Sequence, residues 1–494
     1  MPLAFYLDFA TKQEGLRRFI DSKGLLTPRI GSLSCRPLPP SDNKGRDLAV
    51  IKQILHGYIL SERKIRVPSV FRMSTLYKNI FVLYAFCLLF LFTGCKGTRQ
   101  KLLMQITAET EEDYKLNSEQ KIIVNKGNDF SVELFKKIAE TEKDTNVFIS
   151  TIGMFYSLNI INNSASSSAR QEISKALGID STDPECINNL CRRFIIGQAK
   201  HTDNDFMSSA SYMRTATLFH VGSLVDIDKR FKKVLEHDYF AGVVKGDIDG
   251  DRQQRINKWC AQQTEGLIND FPVNHLDDMS ATLMVANYFK AKWSGEFDKK
   301  ATKNEPFYHG TNATVDMMNN TDSYHYAKLD SFSLLRISFE GEYQLYVFLP
   351  DKADGLTTLL HSLDGVKVRS AISQLKPYTR VYVKMPKFEI GYSFEASQYL
   401  TALGIRKIFD NGFELNRIQS EPMKIEEILQ KTKLILDEEG MEAAAITSTE
   451  LAALSETRKK KEITEAYFYA DHPFAYIIAD PFGNYCFMGT FWGN

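Results

Sequence analysis

Nine histidines and seven cysteines are the residues of this 494-residue chain best suited to attack a substrate, hold a metal or move a proton. Their spacing supports none of these. Cys35, Cys87, Cys95, Cys186, Cys191, Cys260 and Cys486 form no CxxC pair, and no His/Cys cluster has zinc spacing. Cys186 and Cys191 stand five apart, which suits neither a metal knuckle nor an obvious structural bridge, so a disulfide-dense scaffold is excluded. No HExxH, GxSxG or P-loop lies in a supporting context. The expectation is a chain that is not an enzyme and has neither cofactor nor metal.

The informative chemistry lies instead in a backbone segment, residues 437–454, DEEGMEAAAITSTELAAL. It opens with acidic residues and a glycine, then runs through small residues without proline or further glycine. Written as a strand, it alternates between two faces. Met441, Ala443, Ala445, Thr447, Thr449, Leu451 and Ala453 share one uncharged face; the other carries Glu442 and Glu450 as its only charges. Such a strand suits the middle of a sheet, with Gly440 as hinge because it has no Cβ. The same Ala, Leu and Glu content also suits a surface helix over residues 438–461. Taken alone, the segment leaves both open.

Lysine plus arginine and aspartate plus glutamate each number 61, so the net charge is zero and nothing global points to nucleic acid. The one dense basic run, residues 458–461, is short, lacks interleaved aromatics and reads as a solvated loop. With 44% hydrophobic residues, the chain has the means to bury a large core.

Met73 begins an address pattern. Lys78 precedes an apolar run over residues 80–92, ending in Thr93-Gly94-Cys95. That run is shorter than the roughly twenty residues a bilayer span needs, and fits a secretory h-region rather than a buried helix. Thr-Gly-Cys resembles a bacterial lipobox, with Phe92 where leucine is usual, so Cys95 is the expected lipidation site. On this reading residues 1–72 are an N-terminal extension, 73–95 a lipoprotein-type signal peptide, and 96–117 a polar tether. The protein is then exported and lipid-anchored to the bacterial cell envelope, on its periplasmic or surface face, or secreted.

Residues 118–494 read as one domain. Helical spacing marks 130–142 and 166–177, the latter opening with serines able to cap, and 252–271 with Ile256, Trp259, Cys260 and Thr264 on one side. Strand patterns follow at 283–289, 343–349, 380–385 and 474–479. Helices first and strands later predict an α+β architecture.

The body also carries a run of motifs in order: NVFIS at 146–150, INKW at 256–259, TEGLI at 264–268, and YFKAKW at 288–293 with Phe297-Asp298 and residues 302–307 after it. Leu349-Pro350, MPKF at 385–388, LGI at 403–405, DHPF at 471–474 and FMG at 487–489 complete it. Together these resemble the serpin family over nearly the whole body. The resemblance implies a large central mixed β-sheet, two further sheets, about eight to nine helices, and an exposed reactive-centre loop near 438–466. Glu438, Glu439, Gly440, Met441, Glu442, Ala443, Ala444 and Ala445 match the hinge of inhibitory members, which favours the insertable strand over the helix.

The resemblance further implies a suicide-substrate inhibitor of serine, and by extension cysteine, endopeptidases. The attacked residue, fourteen positions after Gly440, is Leu454, with Ser455 following. Leu454 suits chymotrypsin-, elastase- or cathepsin-like proteases. Ala453 and Thr449 are further uncharged candidates, and Arg458 or a neighbouring lysine suits trypsin-like enzymes. Ser150 and Trp293 fall in the sheet-opening region. Departures are Met441 for a small residue, Gly153 for serine, Gln430 for a histidine, and Val285 for that histidine's asparagine partner. The rival within the family is a non-inhibitory binding or chaperone-like module, against which the absence of proline and charge at inward positions of 441–453 speaks. A monomer is expected, with membrane contact only through Cys95.

Overall fold

The first helix of the described residues opens at a reciprocal cap. In the computed structural model, residues 115–180, 182–199, 211–246, 250–271, 278–309, 311–410, 424–441 and 464–493 are described. Asn117 Oδ1 accepts from Gln120 N at 2.8 Å while Gln120 Oε1 accepts from Asn117 N at 3.0 Å. This capping box satisfies two first-turn donors and starts α1 (Ser118–Thr141), twelve residues before the apolar period becomes visible at Phe130. After β1 (Phe148–Ile149), α2 (Thr151–Ser164) is buried along its whole length, with polar side chains such as Ser157, Asn159 and Asn163 bonded to carbonyls one turn earlier.

α3 (Ser167–Leu177) begins after Ser166, whose side chain makes no capping bond, so the serine cap expected there is absent. It ends on Gly178 in the left-handed conformation. α4 (Pro184–Gln198) is capped by Asp183. β2 (Tyr212–Val221), α5 (Lys229–Lys233), β3 (Gly242–Lys245) and α6 (Gly250–Gln263) follow. The helix expected to reach residue 271 stops at Gln263. Thr264 Oγ1 bonds the Cys260 carbonyl and receives Ile268 N, and Glu265 and Gly266 both take positive φ, which turns the chain.

Strands then dominate: β4 (Ser280–Lys292), β5 (Lys303–His309), β6 (Thr311–Lys328), β7 (Phe332–Ser338) and β8 (Gln344–Pro350). α7 (Leu356–Ser362) and α8 (Gly365–Ser373) lead to β9 (Lys376–Pro386), β10 (Phe388–Glu395), α9 (Ser397–Ala402), β11 (Lys424–Leu436) and β12 (Gly440–Met441). β13 (Glu465–Tyr469), β14 (Phe474–Ala479) and β15 (Tyr485–Phe491) close the chain. The described residues thus hold nine α-helices within one α+β unit.

Two hydrogen-bonded sheets organise these strands. The six-stranded mixed sheet runs β10-β11-β12-β4-β2-β3. The nine-stranded sheet runs β1-β15-β14-β8-β7-β6-β9-β13, with β5 on β6. The two further sheets expected from the sequence are joined here because β6 is eighteen residues long. It pairs with β7 at one end and with β5 and β9 along the rest. One face of β4 (Ala281, Leu283, Phe289, Ala291) enters the main core, while Met284 and Ala286 on the other face pack with Ile256 and Cys260 of α6.

Candidate functional site

The six-stranded sheet is forked. β11 and β4 pair directly and in parallel from Lys424 opposite Ser280 to Thr432 opposite Asn287. Beyond that point β12 lies between them. Leu436 faces Met441 on one side, and Gly440 and Met441 face Lys292 and Ala291 on the other. A tight reversal allows this: Asp437 N donates to Gly440 O at 2.9 Å, and Asp437 Oδ1 accepts from Glu439 N and Gly440 N. Gly440 has φ +144°, and a Cβ on it would lie 2.2 Å from Ala291 O and 2.7 Å from Lys292 Cα. No other residue fits this position without displacing β4.

Trp293 clasps the reversal. Its Nε1 donates to Asp437 O at 2.8 Å and its backbone N–H to Glu439 O at 3.1 Å. The indole stacks on Phe339, with ring centroids 4.4 Å apart, and meets Phe297 edge-on. Glu438 is only 5% exposed. It accepts from Thr302 Oγ1 at 2.7 Å and pairs with Lys387 at 3.5 Å, while Glu439 pairs with Lys299. Burial opposes the charge on Glu438, but the Thr302 and backbone hydrogen bonds and Lys387 outweigh it and hold its pKa below the ordinary value. Asp437 goes the other way: burial pushes it up, and two backbone N–H bonds do not fully restore it.

Further down, Gln430 locks the lower sheet to α2. Its Nε2 donates to Ser150 O at 2.8 Å and its Oε1 accepts from Ser150 N at 2.7 Å. Ser150 Oγ donates to Cys486 O and caps α2 by accepting from Gly153 N. Gln430 stands in register with Val285, and both its amide bonds go to Ser150 rather than to β4. Gly153 has a matching partner that sequence reasoning missed. A Cβ there would sit 2.9 Å from Asn287 Oδ1, so the missing side chain makes room for the Asn287 amide. Asn287 Nδ2 donates to Thr215 Oγ1 at 3.0 Å, while its buried Oδ1 has no partner.

At the far end of the loop, His472 Nδ1 lies 2.7 Å from Asp471 Oδ1 and Nε2 lies 2.7 Å from the Pro350 carbonyl. Both partners accept, so both bonds are made at once only when the two ring nitrogens each carry a proton, which favours the imidazolium. Burial works against that charge, but the Asp471 carboxylate and the Pro350 carbonyl prevail and raise the pKa. A raised folded-state pKa contributes stability that is complete below the unfolded value of about 6.5 and is lost as pH rises through the folded value. The native melting temperature is expected to fall with pH above about 6.5, and His472→Gln to flatten that slope. Equal slopes in the two proteins would remove His472 from the account.

The structure therefore brings the reversal that holds Glu438, Glu439 and Gly440 against Trp293, sets Met441 in register with Ala291, and places Ser150 separately beneath Gln430. Glu442, Ala443, Ala444, Ala445, Leu454, Ser455 and Cys95 lie outside the described residues, as do residues 1–72 and 73–95 and the tether up to residue 114. Thr302 and Lys387 stood inside motifs read from the sequence but had no role there; Lys299, Phe339 and Asn287 carried no local signal. Burial pushes the Cys191 and Cys260 thiols up to about 12, which leaves them inert as nucleophiles.

Residues 125–493 match the family described as "Serpin (serine protease inhibitor)". The chain is 26% identical over 377 residues to serine proteinase inhibitor 1 of variola virus, covering 73% of this chain and 95% of that one. It is 28% identical over 384 residues to Serpin-Z10 of Arabidopsis thaliana and 26% over 384 residues to the leukocyte elastase inhibitor of Equus caballus, covering 73% of this chain and 95% and 97% of theirs. Among solved structures, the thermophilic serpin tengpin in its native state superposes with a TM-score of 0.65 at 23% identity, over 79% of this chain and 98% of its own. Serpin48 of Tenebrio molitor gives 0.64 at 23% identity, over 76% and 99%. The chain belongs to the serpin family, whose members are typically protease inhibitors rather than enzymes.

Proposed function

We propose that this serpin is a suicide-substrate inhibitor of serine endopeptidases, and of cysteine endopeptidases by the same acyl chemistry. The observation that carries the reading is β12, seated between β11 and β4. Its register, Gly440 on Lys292 and Met441 on Ala291, defines the path of any further insertion. Continued residue by residue, it sets Ala443 opposite Phe289, Ala445 opposite Asn287, Thr447 opposite Val285, Thr449 opposite Leu283 and Leu451 opposite Ala281. Directly opposed residues share a face, so the uncharged face of the loop turns toward the main core. Glu442 comes opposite Lys290 on the other face. Ala452 meets Ser280, the first residue of β4, and the thirteen-residue strand is then fully used. Leu454 falls just past the end of the sheet, where an attached protease has room.

The chemistry is ordinary proteolysis interrupted. The protease nucleophile attacks the Leu454 carbonyl, an acyl bond forms, and Ser455 leaves with a free amine. Before water attacks the acyl bond, the loop inserts and carries the protease along the sheet. Fourteen residues at about 3.3 Å each span about 46 Å, enough to cross this domain. Distortion of the displaced protease then preserves the acyl bond. The native state is held kinetically above the inserted one, by the Trp293 clasp at the top and the Gln430–Ser150 lock below. We further propose that Cys95 is lipidated and tethers the inhibitor to the bacterial envelope. Labelled palmitate should enter the full chain and be lost in Cys95→Ser; labelling unaffected by that change would refute the anchor.

Incubation with chymotrypsin, pancreatic elastase and trypsin, followed by a denaturing gel, tests the inhibitory reading. A band heavier than either partner that survives boiling supports it. Complete cleavage with no such band favours the non-inhibitory module. N-terminal sequencing of the released fragment checks for Ser455 at the new terminus.

A further inference from the structure

Two of the exposed large apolar side chains among the described residues stand side by side on the last strand of the nine-stranded sheet. Tyr467 is 60% exposed and Tyr469 38%. β13 is the sheet's last strand, with Ala466 and Phe468 turned inward and Glu465, Tyr467 and Tyr469 outward. The outward rings are ordered: Tyr467 stacks on Tyr382 at 4.9 Å and 10°, and meets Tyr469 edge-on at 5.9 Å. Lys384 lies 5.3 Å from the centre of the Tyr469 ring. The flanking charges are satisfied within the face, Arg380 by Glu465 at 2.8 Å and Lys384 by Glu305 at 2.6 Å.

We propose that this tyrosine face is a secondary docking surface for the endopeptidase that attacks the loop. The inference rests on the inhibitory reading and names a second contact for the same partner. Position selects the occupant. Only residues 455–464 separate Leu454 from β13, and ten residues reach at most about 36 Å. A small domain is itself about 30 Å across, so a protease seated on Leu454 stands over or beside this face. Chemistry agrees: tyrosine concentrates binding energy at protein interfaces, and rings already held by stacking lose little freedom on docking. Because the charges are paired internally, the contribution should be insensitive to salt.

The test compares wild type with a Tyr467→Thr, Tyr469→Thr double variant, threonine being a strand former. The rate of loss of intact chain to chymotrypsin and to pancreatic elastase is followed at low and high salt. That rate counts trapped and merely cleaved molecules alike. The double variant is expected to react about tenfold more slowly with at least one of the two, by the same factor at both salt concentrations and with an unchanged trapped-to-cleaved ratio. Tyr467→Phe with Tyr469→Phe should keep the wild-type rate. If the double variant fails to fold, the single variants Tyr467→Thr and Tyr469→Thr supply the same comparison. Wild type that is cut without forming a complex ends the inhibitory reading, while the rate ratio still decides the docking face. Equal rates overturn the proposal. So does a wild-type dimer in sedimentation that the double variant abolishes, since the face would then join two copies of this chain.

Discussion

Ala443→Arg should turn the protein from a trap into a plain substrate. Continued through an inserted loop, the register of β12 would set residue 443 opposite Phe289, which is 3% exposed and part of the main core. An arginine there must bury a charge with no partner, which costs at least several kcal/mol. Each 1.36 kcal/mol slows insertion about tenfold, so hydrolysis of the acyl bond overtakes it. The ratio of trapped to cleaved molecules should fall by about a hundredfold or more, with little change in the rate of the first cut. Glu442→Arg is the control. Residue 442 comes opposite Lys290, whose side chain is 31% exposed, so the new charge retains access to water. Its effect should be much smaller. Equal trapping by Ala443→Arg and wild type would show that the insertion register is wrong.

Trp293→Ala should produce the largest loss of native stability among single changes at this site. The indole is 2% exposed, stacks on Phe339, packs against Phe297 and donates to Asp437 O. Truncating a buried tryptophan costs about 3–5 kcal/mol through lost transfer energy and the cavity left behind. The Asp437 carbonyl also loses a donor. Trp293→Phe separates these contributions, since it keeps most of the stack and loses the N–H, a cost of about 1 kcal/mol. Denaturant midpoints, with slopes checked for constancy, measure both. The alanine variant should also lose inhibitory capacity faster on warming, because the clasp on the reversal is gone. A loss of stability no greater than that of Trp293→Phe would mean the stack carries little of the load.

Local pattern went far in this chain and stopped at predictable places. β14 matches the apolar run at 474–479 residue for residue, because buried strands show as short unbroken apolar stretches. The expectation of a hinge came from DEEGMEAAA, whose alternation and single glycine are local properties; of it the structure describes residues 437–441, where the chain reverses at Gly440. The start of α1 was hidden: its apolar residues 122–124 are cut off from Phe130 by the polar stretch 125–129, and the Asn117–Gln120 capping box, rather than apolar periodicity, marks the true beginning. The end of α6 was hidden as well, because Thr264 breaks the helix by side-chain bonding while its spacing still fits the period.

The contacts that hold the site closed are all long-range. Trp293 to Asp437, Thr302 and Lys387 to Glu438, and Gln430 to Ser150 join segments tens to hundreds of residues apart. Gln430 looked like a missing histidine when read singly. In space it satisfies both backbone groups of Ser150, and Gly153 and Asn287 fit each other in the same way. Those substitutions make sense only in pairs, and the second member of each pair lies on another element.

The central claim is that cutting the loop releases energy stored in a sheet ready to accept one more strand. Thermal melting of intact and loop-cleaved protein, side by side at the same pH and salt, measures it directly. Full insertion of residues 440–452 between β4 and β11 should raise the melting temperature of the cleaved form by on the order of ten degrees or more. Cleaved protein that melts at or below the intact form would contradict the account.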